Sequence, residues 1–358
     1  MVNYFLNKIF YTLLTLFGVV TVIFFLFNVL PGDPAQMMLG QNEDSEQLAI
    51  VKKKFGFDKP ISTQYLYYLN DLSPLSFHST NKEDYTFLDK KKYAATSLFT
   101  IGNTTTAIKL PYLRESFTKQ GKKVSQVLKE TLPNTFVLAV SAIVIAMLLG
   151  IVLGIVSALY KDTWLDKSIQ IFSTLGMSVP SFFSAILFAW LFGFVLHKYT
   201  NLEMTGSLYE LDDFGEAIHI KWKNLILPAI VLGIRPLAVV IQLMRNSLLE
   251  VFNQDYIRTA RAKGLSEYQI IKKHAVKNAL NPVITAISGW FASMLAGAVF
   301  VEYVFGWNGL GKEIVNALNT LDLPVIMGSV LVIATLFVII NIFVDLIYAW
   351  LDPKVKLQ

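Results

Sequence analysis

Apolar residues are concentrated in six long blocks, from which charged residues are almost absent. The blocks are Ile9–Leu30, Thr135–Leu159, Ile169–Leu196, Leu225–Met244, Val283–Phe300 and Val325–Trp350. Because about 20 apolar residues in a helix cross the hydrocarbon core of a bilayer, each block predicts one membrane-spanning helix. The first block is longer than the roughly 15 apolar residues of a signal peptide, so we interpret it as a retained span.

Basic residues in the short loops predict the orientation. Only Lys312 lies between the fifth and sixth blocks, whereas the loop between the fourth and fifth contains Arg258, Arg261, Lys263, Lys272, Lys273 and Lys277. Short loops rich in Lys and Arg stay in the cytoplasm. This predicts cytoplasmic termini, in agreement with Lys354 and Lys356, and places residues 31–134 outside, since a segment this long crosses largely regardless of its own lysines.

The outside segment begins with two helical patterns. A helix capped by Asp44 or Ser45 is predicted to run to Phe55 and to stop at Gly56. Five residues at helical spacing predict a second, amphipathic helix, namely Tyr65, Leu66, Tyr68, Leu69 and Leu72.

The rest of the outside segment is less informative. Residues 73–113 show weak periodicity, and the pattern leaves open whether they form an ordered cap or a loose loop. Val124–Leu132 is predicted to be an interfacial helix, which Pro133 turns into the second span.

The cytoplasmic loop within Glu250–Pro282 carries the strongest local signals. Tyr256–Lys263 contains good helix formers, and Ala260 and Ala262 are expected to make a small-residue surface. Gly264 follows at the position where a helix end needs a left-handed backbone.

A second helix is predicted directly after this bend. Ser266 and Gln269 have the spacing of a capping box, and the helix continues through Ile270, Ile271, His274 and Ala275. Two short helices joined at a bend would make a rigid, basic projection that suits a groove on a partner protein. Residue types alone favour equally an amphipathic helix resting on anionic lipid, and a DNA-binding helix-turn-helix is disfavoured by the flanking spans.

Composition restricts the possible classes further. The 358 residues are 54% hydrophobic and only 16% charged, which excludes a soluble enzyme and a disordered chain. Cysteine is absent, which excludes disulfides and zinc–thiolate sites. The net charge of +5 is better explained by loops beside an anionic membrane face than by nucleic-acid binding.

We find no catalytic or nucleotide-binding constellation in the sequence. Residues 306–312 fit the first seven positions of a P-loop, but Glu313 stands where Ser or Thr must ligate magnesium. His78, His197, His219 and His274 form no metal pair at helical spacing. The chain is therefore expected to hold no metal or cofactor and to hydrolyse no ATP, which leaves that work to a partner.

Three charged residues lie in or beside the predicted spans. Arg235 lies in the fourth, Asp345 in the sixth, and Glu302 near the outer end of the fifth. An arginine at the bilayer centre costs about 2.5–3.5 kcal/mol on insertion scales, so it should face a bundle interior or water. These side chains either line a pathway or fix helix packing, for instance through a pair of Arg235 with Asp345 or Glu302. We favour packing for Asp345, leave Arg235 open, and expect Glu302 at the outer rim.

Motifs along most of the chain, taken in order, resemble a known family. The segments are LPGDP (30–34), FGFDKP (55–60), QYLYYL (64–69), LPNTF (132–136), GMSVPSFF (176–183), TARAKG (259–264), NALNP (278–282), GAVFVEYVFGWNGLG (297–311) and NIFVDLIYAWLDPKVK (341–356). They are similar to B-type permease subunits of dipeptide and oligopeptide ABC importers, whose coupling loop is the "EAA" loop. Thr259 replaces the glutamate that gives that loop its name, and residues 73–113 match no motif of the family.

The resemblance implies an all-α membrane protein with six transmembrane helices and a large, partly helical periplasmic segment. It divides the chain into residues 1–30, residues 31–134, and a five-helix core at 135–358 that includes the coupling loop 250–280. It further implies a multi-pass protein of the bacterial inner membrane, which carries peptides, or nickel or another small solute. A self-sufficient secondary transporter or channel is the alternative, although no internal repeat is evident.

The resemblance also implies partners and site residues. The partners are a second, homologous permease subunit, two cytoplasmic ATPases that bind ATP and magnesium, an extracytoplasmic substrate-binding protein and the bilayer. The ATPase contact would consist of Tyr256, Arg258, Thr259, Ala260, Arg261, Ala262, Lys263, Gly264, Leu265, Ser266 and His274.

Overall fold

The structure is a computed structural model that describes residues 2–29, 35–36, 45–119, 121–211 and 218–351. Its helices are α1 Val2–Val29, α2 Ser45–Phe55, α3 Ile61–Leu72, α4 Lys90–Tyr93, α5 Val124–Leu159, α6 Trp164–Ser178, α7 Ser181–Phe188, α8 His197–Thr200, α9 Lys223–Phe252, α10 Asp255–Ala262, α11 Glu267–Gln269, α12 Val276–Gly297, α13 Val299–Phe305, α14 Leu310–Asn319 and α15 Leu323–Leu351. Its strands are β1 Leu75–Ser79, β2 Thr96–Ile101, β3 Thr104–Ile108, β4 Tyr209–Leu211 and β5 Ile218–Ile220. Two π-helical segments, Ala189–Val195 and Ile270–Ala275, follow α7 and precede α12.

The membrane spans follow the order of the apolar blocks. In the described part of the chain, α1, α5, α9 and α15 are each long and apolar enough to cross a bilayer. Two bent pairs raise the number to six, namely α6 with α7 and its π-helical continuation, and the segment from α11 through α12 with α13. The predicted six-helix membrane fold is thus confirmed. The LPGDP motif and the tail with Lys354 and Lys356 lie outside the described residues.

The third span is not the single straight helix expected over residues 169–196. Its two halves, α6 and α7, meet at an angle of 108°. Val179 between them is extended, with φ −82° and ψ 132°, and Pro180 follows. Proline lacks an N–H and disfavours the helical conformation of the residue before it, so the helix breaks here.

Pro133, in contrast to Pro180, does not end a helix. The interfacial helix predicted to end at Leu132 is wrong, because α5 continues through Pro133 for 36 residues. Leu128 and Leu138, on either side, are buried. A proline removes one helical hydrogen bond and introduces a bend, and packed residues on both sides keep the chain helical through it.

The described residues after α1 form helices and a sheet. The two predicted helices are confirmed as α2 and α3, and Gly56 after α2 has the left-handed φ of +72°. Asp44 lies outside the described residues. Residues 73–113, which the sequence left undecided, contain an antiparallel sheet in the order β1–β3–β2. The β2–β3 hairpin turns through Gly102, whose φ is +57°, and Asn103.

The chain divides into two compact units. The C-terminal unit comprises Thr131–Glu313 with Met1–Tyr4 and Thr335–Gln358, and the N-terminal unit comprises Phe5–Glu130 with Ile314–Ala334.

Asp71 organises the polar interior of the N-terminal unit. Its carboxylate accepts hydrogen bonds from Arg114 Nε at 3.0 Å and from the hydroxyl of Tyr85 at 2.7 Å. Nearby, the ammonium of Lys92 lies 4.0 Å from the centre of the Tyr85 ring, and burial lowers the pKa of Lys92 to about 8. Removing the Asp71 carboxylate would therefore leave the guanidinium of Arg114 buried without its anion.

We expect Asp71→Ala to destabilise the protein strongly. Breaking one side of a buried ion pair costs about 3–5 kcal/mol, which corresponds to a fall in melting temperature of roughly 10 °C for a unit of this size. Thermal unfolding of the detergent-solubilised chain measures the effect. Asp84→Ala is the matched control, because this exposed carboxylate only accepts a hydrogen bond from Ser79 Oγ at 2.6 Å. Equal melting temperatures for the two variants would contradict the role of Asp71.

Candidate functional site

Helix α10 lies against the end of α9 through one face. Ile257 and Ala260 on this face are buried, with 0% and 6% exposure, in a cluster with Met244 and Leu248 of α9. The opposite face is exposed along the whole of α10. The helix is therefore held firmly on one side and presented on the other.

The bend after α10 requires glycine at position 264. Gly264 has φ +78°, and its N–H donates to the carbonyl of Arg261 at 2.9 Å. Open space surrounds the position where a Cβ would lie, so the backbone conformation rather than crowding selects glycine. The predicted left-handed helix end is confirmed.

The capping box is also confirmed. Ser266 Oγ accepts from the N–H of Gln269 at 3.4 Å, and Gln269 Oε1 accepts from the N–H of Ser266 at 3.2 Å. The helix that follows is π-helical over Ile270–Ala275, which the sequence did not predict. A π turn places residues five apart on one side, and Ile270 and Ala275 are both fully buried.

The predicted small-residue surface needs a correction. Ala260 faces the interior of the unit, in the buried cluster with Met244 and Leu248, and it is not available to a partner. Ala262 is exposed, as expected. The exposed candidates on the loop are Tyr256, Arg258, Thr259, Arg261, Ala262, Lys263, Gly264 and Ser266, while Leu265 and His274 are half-buried.

Two polar links stiffen the loop. Arg261 donates from Nε and Nη2 to the two carboxylate oxygens of Glu267, at 2.9 and 3.4 Å, and so closes the bend at Gly264. Asn278 on α12 donates to the hydroxyl of Tyr256 on α10 at 2.8 Å. Because these pairs are exposed, each contributes little to stability. Together they fix the angle between α10 and the helical segment that follows Gly264.

A buried ion pair anchors the helix that carries the loop. Arg245 near the end of α9 donates from Nε and Nη2 to the two oxygens of Asp166 on α6, at 2.8 and 2.7 Å. Asp166 is 2% exposed and also accepts from Ser157 Oγ on α5 at 2.5 Å. Three helices, α5, α6 and α9, therefore meet at one carboxylate.

Neither residue of this pair is predicted as a site residue by the sequence patterns above. Asp166 is the third residue of α6 after the capping Thr163, a position where an acidic residue is ordinary. Arg245 directly follows the fourth apolar block and resembles a common flanking charge. The available signal was their combination, since an acidic and a basic residue at the same ends of neighbouring spans can pair.

Two sequence motifs meet at the start of α14. The indole N–H of Trp307 donates to the carbonyl of Asn134 at 3.0 Å, and the N–H of Leu310 donates to Thr135 Oγ1 at 2.8 Å. Lys312, which occupies the lysine position of the P-loop-like sequence, donates to the carbonyl of Gly306 at 3.0 Å. The glycine-rich turn is thus used for packing against the start of the second span.

The prediction that Glu302 lies at the outer rim is wrong. Glu302 is fully buried, and its Oε2 accepts from the N–H groups of Gly311 at 2.6 Å and Lys312 at 3.3 Å, at the beginning of α14. The first N–H groups of a helix lack partners within the helix, and a carboxylate satisfies them. A side chain at Gly309 would overlap this carboxylate.

The suggested ion pairs of Arg235 are not present. The salt bridges formed within the described residues do not include Arg235. Its side chain is exposed and lines a cavity of about 90 Å³ together with Ser181, Ser184, Trp290 and Ser293. Asp345 is half-buried on α15. Arg235 therefore remains a pathway candidate, and Glu302 is a structural group.

The described residues contain no cluster of three or more His, Asp or Glu side chains that could hold a metal ion.

The family described as "binding-protein-dependent transport system inner membrane component" matches residues 150–357, and its N-terminal family matches residues 1–82. The dipeptide transport system permease proteins of Alkalihalophilus pseudofirmus and Bacillus subtilis are each 31% identical, over 99% and 100% of this chain and 100% and 99% of theirs. A di/tripeptide transport system permease protein of Pseudomonas aeruginosa is 31% identical over 96% of both chains. An inward-facing MetNI methionine ABC transporter structure has a TM-score of 0.49 and 16% identity, covering 64% of this chain and 97% of that chain.

We expect a double-mutant cycle to show strong coupling between Asp166 and Arg245. Each single alanine variant should lose about 3–5 kcal/mol because it leaves a buried charge unpaired, and the double variant should lose clearly less than the sum. Thermal unfolding of the solubilised chain provides the readout. Lys161→Ala is the control, since Lys161 and Asp162 form an exposed pair at 3.9 Å. Strictly additive losses would show that the pair carries no coupling.

Proposed function

Because the chain belongs to the family of binding-protein-dependent transport system inner membrane components, we propose that it forms half of the translocation pathway of an ATP-driven importer of di- or oligopeptides. The observation that carries this proposal is the loop from α10 to the π-helical segment. It is bent at Gly264, packed on the ends of α9 and α12, and exposed on its other side.

This loop has the mechanical properties that a transmission contact needs. A push on α10 reaches α9 through the buried cluster that Ile257 shares with Met244 and Leu248, because closely packed side chains transmit a displacement. The Asp166–Arg245 pair then passes the displacement from α9 to α5 and α6. In our proposal, closure of two cytoplasmic ATPases on ATP and magnesium displaces the loop and switches the spans between outward- and inward-facing states.

The remaining partners follow from the same proposal. A second, homologous permease supplies the other half of the pathway, and an extracytoplasmic binding protein delivers the cargo. Both chain termini are in the cytoplasm. Two relatives are named for dipeptide transport and a third for di/tripeptide transport, which supports peptides over nickel or another small solute.

Arg235 is the pathway residue that we propose. An arginine in the middle of α9 is not stable against lipid tails, yet its side chain is exposed on this chain. It therefore faces the water-filled route shared with the second permease. Its guanidinium can bind peptide carboxylate or carbonyl oxygens, and Ser181, Ser184 and Ser293 beside it add hydroxyl groups.

The docking surface is tested by gentle purification of the tagged chain together with its complex. Ala262→Arg and Lys263→Glu alter exposed loop residues, and we expect each to reduce the recovered ATPase subunits at least about tenfold, a loss of roughly 1.4 kcal/mol or more. Lys161→Glu, which changes another exposed lysine on the loop between α5 and α6, should leave recovery unchanged. Wild-type recovery of ATPases with both loop variants would refute the docking assignment, and absence of any ATPase with the wild type would favour a secondary transporter.

Arg235 is tested by peptide uptake into vesicles that contain the assembled complex. Arg235→Leu should lower uptake at least about tenfold while the subunits remain assembled, because a charge-assisted hydrogen bond contributes about 1.5–3 kcal/mol. Arg235→Lys should restore part of the uptake, since it keeps the charge. Undiminished uptake by Arg235→Leu would remove this residue from the pathway.

A further inference from the structure

The three-stranded sheet of the N-terminal unit has its polar side inside and its apolar side exposed. Ser76 and His78 on β1 are buried, with 0% and 1% exposure, and Ser76 Oγ lies 2.9 Å from His78 Nε2. The alternate residues Leu75 and Phe77 are 49% and 56% exposed. A half-buried strand of a soluble protein normally shows the reverse arrangement.

The neighbouring strands extend this exposed side. The register pairs Leu75 with Ile108 and places Phe77 and Phe99 on either side of Thr106, so paired residues point the same way. The apolar sheet face therefore consists of Leu75, Phe77, Phe99, Ile101 and Ile108, each about half exposed or more. Together these side chains offer about 500 Å² of apolar surface, close to the largest patch expected on an isolated protein and a large part of the roughly 800 Å² that a stable interface buries per partner.

The two edge strands of the sheet, β1 and β2, differ in the hydrogen bonding of their outer backbone groups. At β1, the amide side chain of Asn70 binds both the N–H and the carbonyl of Phe77, at 2.8 and 2.9 Å, and the N–H of Ser79 donates to Thr86 at 3.2 Å. At β2, all six residues are exposed, and within the described residues its outer backbone groups form no hydrogen bond. No charged residue stands between Tyr93 and Lys109, so β2 lacks the lysines that protect edge strands.

These observations distinguish among the molecules that could cover the apolar sheet face and the β2 edge. Lipid tails could cover the apolar face, but an open strand edge in hydrocarbon would leave its N–H and carbonyl groups without partners. A binding protein that docks and leaves would meet a more polar surface, because transient interfaces are richer in polar groups than permanent ones. A charge-free face beside an open edge suits a partner that stays bound and supplies an extended segment.

We propose that the apolar sheet face and the β2 edge form a permanent contact with the second permease subunit, which adds a strand or an extended segment to β2. This inference rests on the proposed function, since it takes the second subunit and the external location of the segment from it. The contact surface on that subunit is apolar, carries few charges and has free backbone groups. The contact joins the two permeases outside the membrane spans and leaves the cytoplasmic loop free for the ATPases.

Site-specific photo-crosslinking in the complete complex tests the contact. A photoreactive residue in place of Ile101, which is 73% exposed beside the hairpin turn, should form an adduct with the second permease subunit. The same residue in place of Lys59, which is exposed in the same unit but outside the sheet, should not. An adduct only with the binding protein, a cargo peptide, lipid or another copy of this chain would overturn the proposal, as would no adduct.

A matched pair of substitutions provides the second measurement. Ile101→Glu should lower recovery of the second permease at least tenfold, whereas Leu66→Glu, at a 62% exposed position on α3, should leave it unchanged. Equal recovery of the second permease with both variants would contradict the contact. If the wild type recovers no second permease, the proposed function fails; if it recovers the complete complex but position 101 gives no adduct, only the sheet contact fails.

Discussion

The Asp166–Arg245 pair is the interaction on which the functional geometry depends. It fixes the end of α9 to α5 and α6 through one buried carboxylate. The cluster of Met244 and Leu248 with the loop holds the other side of this end, so α9 is fixed on both sides where the loop begins. A buried pair contributes little net stability compared with apolar packing, and it is strongly destabilising when broken, so its value here is in defining one arrangement of three helices.

The loop itself is built by local signals that are each readable in the sequence. Gly264 has a left-handed backbone, and Ser266 forms the capping box with Gln269, three positions further along the chain. Both could be predicted because they depend on neighbours in the chain. The burial of Ala260 could not be predicted, because which face of α10 is buried depends on the cluster with Met244 and Leu248, and those residues are more distant in sequence.

The same distinction explains the rest of the fold. The six apolar blocks predict the spans well, since length and hydropathy alone decide whether a helix crosses the bilayer. Pro180 and Pro133 look alike in the sequence, yet one ends a helix and the other lies inside α5. The sheet of residues 73–113 was undecidable because its apolar residues point outward and its polar residues inward, so alternation carries no indication of a core.

Four buried carboxylates show how this chain uses charge. Asp71 and Asp166 are each matched by an arginine, and Glu302 and Asp322 accept backbone N–H groups, with Asp322 binding the N–H of Phe117 at 3.1 Å. Asp71, Asp166 and Asp322 are satisfied within their own units, which is the expected solution where water is excluded, whereas Glu302 accepts through Oε2 alone and its buried Oε1 has no hydrogen-bond partner among the described residues. Arg235 departs from this rule, because it lies deep in a span, is exposed, and forms no salt bridge within the described residues. In the proposed function, a charge left available at that depth faces a water-filled route and binds a polar cargo.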